Sequence, residues 1–157
     1  MLGSARIIAS YNQIALASNW GHQVTDQENW DDEKVARGYA GAPEFRMFST
    51  ISDMNNHWVE LHYDSHAPDT QKWERVVVSD FHTQDGSVFV SSVIDFEPTI
   101  KAIIKPGSHS AYFLGMNIGV APSPNFQLTE KSERNIDCEW YRIILVPKQS
   151  SENCVDA

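Results

Sequence analysis

Two groups of residues in this 157-residue chain have types and spacing that could do chemistry. The first is His62-Tyr63-Asp64-Ser65-His66, two histidines and a carboxylate within five residues. On an extended strand His62, Asp64 and His66 share one face, and imidazole nitrogen with carboxylate oxygen is a donor set that zinc accepts. Three neighbours on one strand end reach a single ion only with help from elsewhere, and Ala67-Pro68 follow at once. The expected role is a polar strand edge, with no metal assigned. His82 and His109 fall in or beside turns and are expected to be solvated. Cys138 and Cys154 show no metal-ligand spacing, no serine lies in a Gly-x-Ser-x-Gly elbow, and neither a phosphate loop nor a dinucleotide fingerprint exists. The chain is therefore expected to be no enzyme, with no catalytic residue and no cofactor.

The second group is acidic. Asp26, Glu28, Asp31, Asp32 and Glu33 put five carboxylates into eight positions, with Trp20 and Trp30 nearby. Such a patch attracts a basic partner and speeds encounter, and the tryptophans would supply buried area. One or two of these acids have a local use, because Asp31 can cap a helix and Asp32 and Glu33 suit its positive end. The remainder is either a solvated loop or a docking site. The chain has a net charge of −9, which disfavours nucleic acid or an anionic membrane as partner. A third possibility comes from the five tryptophans. β-Sandwiches with exposed aromatics stack sugars, and Trp58 would be the platform of such a carbohydrate-binding module.

The elements that must position these residues are mostly strands. Residues 7–16 mix apolar and polar types with strand spacing and read as a first strand, and residues 45–51 as a second. In residues 57–64, Val59, Leu61 and Tyr63 point one way and Trp58, Glu60, His62 and Asp64 the other, so one face is core and one wet. Residues 73–81 and 87–94 flank Gln84-Asp85-Gly86 and are expected to pair as a hairpin, since Asp-Gly accepts the positive φ of a tight turn. Residues 100–104 and 110–120 flank Lys105-Pro106-Gly107 and suggest another. Residues 121–137, with Pro122, Pro124, Glu130, Glu133 and Asp137, read as an irregular loop before a last strand at 140–146. Trp73 and Trp140 at strand starts are expected to plug the core.

Only residues 32–38 read as a helix. Asp31 is its N-cap, Trp30 and Val35 form a staple across the cap, Gly38 ends it, and Val35, Ala36 and Tyr39 would anchor it over an open end. Seven or eight strands with one short helix give an all-β protein, an antiparallel β-sandwich with a closed barrel as the alternative. Residues 1–147 are expected to form one domain and residues 148–157 a polar, frayed tail. The N-terminus lacks the long apolar core of a signal peptide and nothing approaches a membrane span, so the cytoplasm is the expected compartment.

Ser10-Tyr11-Asn12-Gln13, then Trp30-Asp31-Asp32-Glu33 running into Arg37-Gly38-Tyr39-Ala40, then a strand near Phe45, resemble the competence protein J family of bacteria. The resemblance continues through the strand at 59–63, the segment 76–94 and the Lys105-Pro106-Gly107 turn. It implies inhibition of a DNA-entry nuclease, or the related task of an immunity protein beside a nuclease toxin. The partner the resemblance implies is a nuclease, and the acidic patch fits a basic one, so the expected binding residues are Trp20, Asp26, Glu28, Trp30, Asp31, Asp32 and Glu33.

Overall fold

The computed structural model describes residues 1–52, 56–95, 97–121, 134 and 136–149. Its elements are β1 (Gly3–Ile8), β2 (Gln13–Ala17), α1 (Asp32–Arg37), β3 (Tyr39–Ala42), β4 (Phe45–Ser49), β5 (Asn56–Tyr63), β6 (Arg75–Thr83), β7 (Ser87–Ser92), β8 (Ile100–Ile103), β9 (Gly107–Met116) and β10 (Trp140–Pro147). They form two five-stranded sheets, β1-β5-β10-β9-β6 and β3-β4-β2-β7-β8. The protein is all-β, as its alternating pattern dictates, but the described residues hold one short helix and ten strands where seven or eight strands were read. The expected single strand at 7–16 is two, in different sheets, because Tyr11 and Asn12 both take positive φ and turn the chain between them. β3 hides in the short stretch after Gly38. Most pairs are antiparallel, yet β10 runs parallel to β5, with Tyr141 opposite Val59 and Ile143 opposite Leu61. The connection a parallel pair needs is supplied by the whole of β6 to β9.

Neither expected hairpin forms. Gly86 takes φ 88° and Ser87 N donates to Asp85 Oδ1 at 2.9 Å, so the chain reverses as the Asp-Gly pair predicts. However, β6 pairs with β9, and β7 with β2 and β8. The turn is an arch that carries the chain across the core into the other sheet. Inward apolar side chains on both strands explain it: Val77 and Phe81 of β6 and Val88 and Val90 of β7 bury against one common core. Lys105-Pro106-Gly107 is a second arch, between β8 and β9. Gly107 does take positive φ there.

Between the inner faces, Phe48, Phe113 and Tyr141 stack in a column, with centroids 4.7 and 4.5 Å apart. Both lateral openings are shut. On one side Arg46 Nε donates to Asp80 O at 2.8 Å, and His82 N to Pro43 O at 2.9 Å, satisfying the free edge of β6. On the other, Gly3 lies so near Ile100 that a Cβ there would meet its Cγ2 at 2.8 Å.

The outer faces are covered as well, which alternation alone does not reveal. Ala15, Ala17 and Ala40, with Phe45 and Met47, make a low surface on the second sheet, and Trp20 and Trp30 pack onto it. On the first sheet Leu114, Ile144 and Val146 gather with Trp73 and Tyr112. Trp73 and Trp140 therefore lie outside the main core, edge to face at 5.3 Å, with the Arg142 guanidinium over both rings. The face of β5 expected to be wet is dry at Trp58 and Glu60.

One buried carboxylate organises an end of the sandwich. Glu139, 1% exposed, accepts from Ser52 Oγ (3.0 Å) and Gly119 N (2.8 Å) on Oε1, and from Ile51 N (3.2 Å), Ser52 N (3.1 Å) and Tyr141 OH (2.5 Å) on Oε2. Its own carbonyl accepts from His57 Nδ1 at 2.9 Å. Burial disfavours the charge, but the donors from Tyr141, Gly119 and Ser52 outweigh it and hold the carboxyl below the usual carboxylate range. The same burial and the neighbouring charge push the Tyr141 hydroxyl up.

His109 corrects another expectation. It is 1% exposed rather than solvated, with Nδ1 donating to Gly107 O at 3.0 Å and its ring edge-on to Tyr63. Burial lowers its pKa, as do the charges of His82 and Lys105, though the bond to Gly107 opposes this. The expected tail at 148–157 and Cys154 fall outside the described residues beyond position 149, as does most of the irregular segment 121–137, including Glu130 and Glu133.

Glu139→Gln turns two of the donors into clashes with an amide NH2 and should lower the unfolding free energy at pH 7 by about 2–3 kcal/mol. Since the folded pKa is depressed from 4.5, the carboxylate's contribution is full above that value and lost as pH falls through the folded pKa. Denaturant titrations should therefore show the wild-type to Gln gap narrowing below pH 4.5. For His109, depressed from 6.5, the unfolded chain takes the proton first, so stability is lost as pH falls below that value. The melting temperature should drop between about pH 7.5 and 5.5, and less in His109→Gln. His62, also lowered by burial, leaves part of the drop in place.

Candidate docking site

The connection from β2 to α1 carries the acidic group across the outer face of the second sheet. Trp20 is half-buried against Phe45, centroids 5.7 Å apart. Trp30, also half-buried, donates from Nε1 to Gln13 Oε1 at 2.8 Å. Both tryptophans thus fasten the segment to the sheet. Between them, Glu28 meets His22 at 2.9 Å, and this bond holds its carboxyl below the usual range. Gly41 N donates to Glu28 O at 2.8 Å, tying the same residue to β3.

α1 starts and stops where the residue types require. Asp31 has extended backbone and accepts from Lys34 N at 2.9 Å, and Gly38 at φ 91° donates back to Lys34 O. A Cβ on Gly38 would come within 2.7 Å of Val77 Cγ2, so glycine is needed for space as well as for φ. Lys34 Nζ pairs with Asp31 at 3.0 Å and donates to Gln27 O at 2.5 Å, and the Arg37 guanidinium lies 4.0 Å over the Tyr39 ring. These polar ties hold the helix. Of the expected apolar anchors only Tyr39, just beyond the helix, packs against the core, while Val35 and Ala36 are exposed and no helix residue is buried. A helix of six residues has too few positions to build both a cap and an apolar stripe.

The seven residues named from the sequence therefore divide. Trp20 and Trp30 are anchors of the loop, Glu28 and Asp31 are engaged by His22 and Lys34, and Asp26, Asp32 and Glu33 stand exposed with no ion pair among the described residues. Val35 and Trp30 are not packed as an isolated staple. They wall a cleft of about 440 Å³ whose other lining is Tyr11, Asn12, Ser49, Thr50, Ile51 and Arg75. Five separate stretches of chain meet there, and sequence periodicity gave no sign of it. The one available signal was Ser10-Tyr11-Asn12-Gln13, where an aromatic followed by asparagine sits at a turn.

The other candidate chemistries find no support in the geometry. His62 turns to Glu60 at 3.0 Å, while Asp64 Oδ1 accepts from His66 N at 3.3 Å. Among the described residues no group of three or more His, Cys, Asp or Glu side chains is arranged to hold a metal ion. Trp58 is 7% exposed and donates to Glu60 Oε2 at 3.0 Å, so it presents no open ring for a sugar. Glu60 also holds Arg142 at 2.9 Å; burial disfavours its charge, but the bonds from Trp58, His62 and Arg142 keep its carboxyl low. Cys138 is a buried thiol, and burial raises its pKa away from reactivity. No helix among the described residues is long and apolar enough to cross a membrane.

Two solved structures share this architecture. One is the crystal structure of ComJ, inhibitor of the DNA-degrading activity of NucA, from Bacillus subtilis, at TM-score 0.61 and 16% identity over 93% of this chain and 94% of that one. The other, described as Crocagin biosynthetic gene J, matches at TM-score 0.54 and 12% identity over 94% and 98%. At such identities the likeness is one of fold. No curated protein matches the chain in sequence. The family model of Competence protein J matches residues 6–131, from β1 through the second arch and β9, and the chain belongs to that family.

Proposed function

We propose that the protein is an inhibitor that binds a nuclease and blocks it without performing a chemical step. The observation that carries this reading is family membership joined to the fold of an inhibitor of a DNA-degrading nuclease. The acidic surface supports it. A nuclease must attract phosphate and so presents cationic residues, to which Asp26, Asp32 and Glu33 are complementary. Glu28 and Asp31 lie in the same surface but are already partnered, so they add field more than free charge. The expected site is therefore residues 26–33, with Trp20 and Trp30 holding the segment in shape. The reading places the protein in the cytoplasm, where Cys138 stays reduced.

Added to DNA and the Bacillus subtilis nuclease NucA, the protein should slow DNA degradation in proportion to its concentration. Absence of inhibition at micromolar protein would overturn the reading. Neutralising the free acids together, Asp26→Asn, Asp32→Asn and Glu33→Gln, should reduce the association rate roughly three- to tenfold at low salt. The deficit should shrink as salt screens charges beyond about 8–10 Å. Loss of the charges near the start of α1 should lower the melting temperature by no more than a few degrees, about what 1 kcal/mol produces. An unchanged low-salt rate would remove residues 26–33 from the interface and direct attention to Glu130, Glu133 and Asp137.

A further inference from the structure

The turn between β1 and β2 is built in a way that stability does not ask for. Tyr11 and Asn12 have φ of 54° and 59°. Asparagine tolerates this left-handed backbone and glycine suits it best, whereas a bulky residue resists it. Tyr11 gains nothing from burial in exchange, being 75% exposed. The conformation is imposed by its neighbour: Asn12 Nδ2 donates to Ile51 O at 3.2 Å, and Asn12 O accepts from Thr50 N at 2.8 Å. An exposed aromatic held rigidly in an unfavourable backbone is a feature of surfaces that bind.

Tyr11 stands at the cleft described above, and so do two more exposed apolar side chains, Val35 at 61% and Ile51 at 48%. With Trp30 they make apolar walls. The floor is polar, formed by Asn12, Ser49, Thr50 and Arg75. Arg75 Nη2 donates to Ser49 O at 3.2 Å and Oγ at 2.5 Å, while its Nε is buried with no hydrogen-bond partner. No carboxylate among the described residues pairs with it. Asp32, exposed and without an ion pair among the described residues, lies three residues before Val35 and puts a negative charge beside this wall, while Asp31 before it is held by Lys34.

The occupant must match all three zones. Apolar walls ask for an apolar body. A floor of polar side chains that includes the Arg75 guanidinium asks for an oxygen at the tip, and the same cation rejects the tip of a lysine or arginine. The unpaired Asp32 beside the cleft disfavours a carboxylate and favours basic residues on either side. We propose that the cleft receives a tyrosine side chain from a basic segment of the partner, its ring between Tyr11, Trp30, Val35 and Ile51 and its hydroxyl oxygen accepting from the polar floor. The proposal rests on the nuclease reading only for the identity of that partner. Its volume lies within the range of pockets that bury small ligands, enough for one ring and its adjoining main chain.

The isotope-labelled full chain is titrated with acetyl-Lys-Lys-Tyr-Lys-Lys-amide and with the peptides carrying phenylalanine or lysine at the centre, followed by amide shifts. Saturating shifts at Asn12, Val35 and Ile51 are expected for the tyrosine peptide, at least threefold weaker binding for phenylalanine, and no shifts at these residues for lysine. Tyr11→Gly should leave the melting temperature unchanged or raise it, because glycine suits the backbone, while weakening the tyrosine peptide at least fivefold. Equal binding of all three peptides with shifts confined to residues 26–33 overturns the proposal, as does undiminished binding by Tyr11→Gly. In a second arm, Tyr11→Gly should leave NucA within threefold of the wild-type association rate but dissociate at least tenfold faster. If NucA binds both forms equally, the cleft assignment fails and the nuclease reading stands. If NucA binds neither while the tyrosine peptide fills the cleft, the nuclease reading fails and the cleft assignment stands.

Discussion

The carboxylate of Glu139 is the interaction on which this structure turns. A buried charge is tolerable only where donors replace the water it has lost, and here five surround it. Those donors come from three distant stretches: residues 51–52 after β4, Gly119 after β9, and Tyr141 on β10 itself. The carbonyl of the same residue takes His57 Nδ1 from β5, which helps set the parallel register of β5 against β10. Position at the surface follows from this. Ile51, the wall of the cleft, hangs from Glu139 by its amide, and Asn12 hangs from Ile51 and Thr50. The exposed turn of Tyr11 is thus tied, through two hydrogen bonds, to the buried carboxylate of Glu139.

Covering both outer faces has a functional side. The segment 18–31 lies on a bed of alanines, so it can approach the sheet closely, and its two tryptophans act as pegs. A loop fixed in this manner presents charges at set positions, which favours fast encounter without a large ordering cost on binding. The opposite face is closed differently, with Glu60 gathering Trp58, His62 and Arg142 and the guanidinium spreading over Trp73 and Trp140. Tryptophans that look available in the sequence are consumed by this packing.

What the sequence made legible was local. Asp31 and Gly38 marked both ends of α1 because capping depends on a single side chain and a single backbone angle. The strand at Val59, Leu61 and Tyr63 was plain from parity, and the reversals at Gly86 and Gly107 from turn residues. Partners were not legible. A turn states that the chain reverses, not which sheet receives it, and only the shared core of Val77, Phe81, Val88 and Val90 shows that β6 and β7 face one another. Charge was likewise readable where its state was not, since His22 and Lys34 had to be brought to Glu28 and Asp31 by the fold. The cleft was hidden for the same reason: its lining runs from Tyr11 to Arg75, and no window of sequence holds it.

The place of β10 constrains how the chain is made. It is the middle strand of its sheet, lying between β5 and β9, and among the described residues it is the last strand in sequence. On a ribosome extending the chain at about 5–20 residues per second, the pairs β1-β5 and β9-β6 emerge well before the strand that joins them. For several seconds each would expose an edge that β10 later fills, and Glu139 would arrive with it to collect its donors. Vectorial synthesis therefore leaves this sheet open until its final stretch has left the tunnel, a window in which edge-to-edge association between nascent chains competes with correct closure.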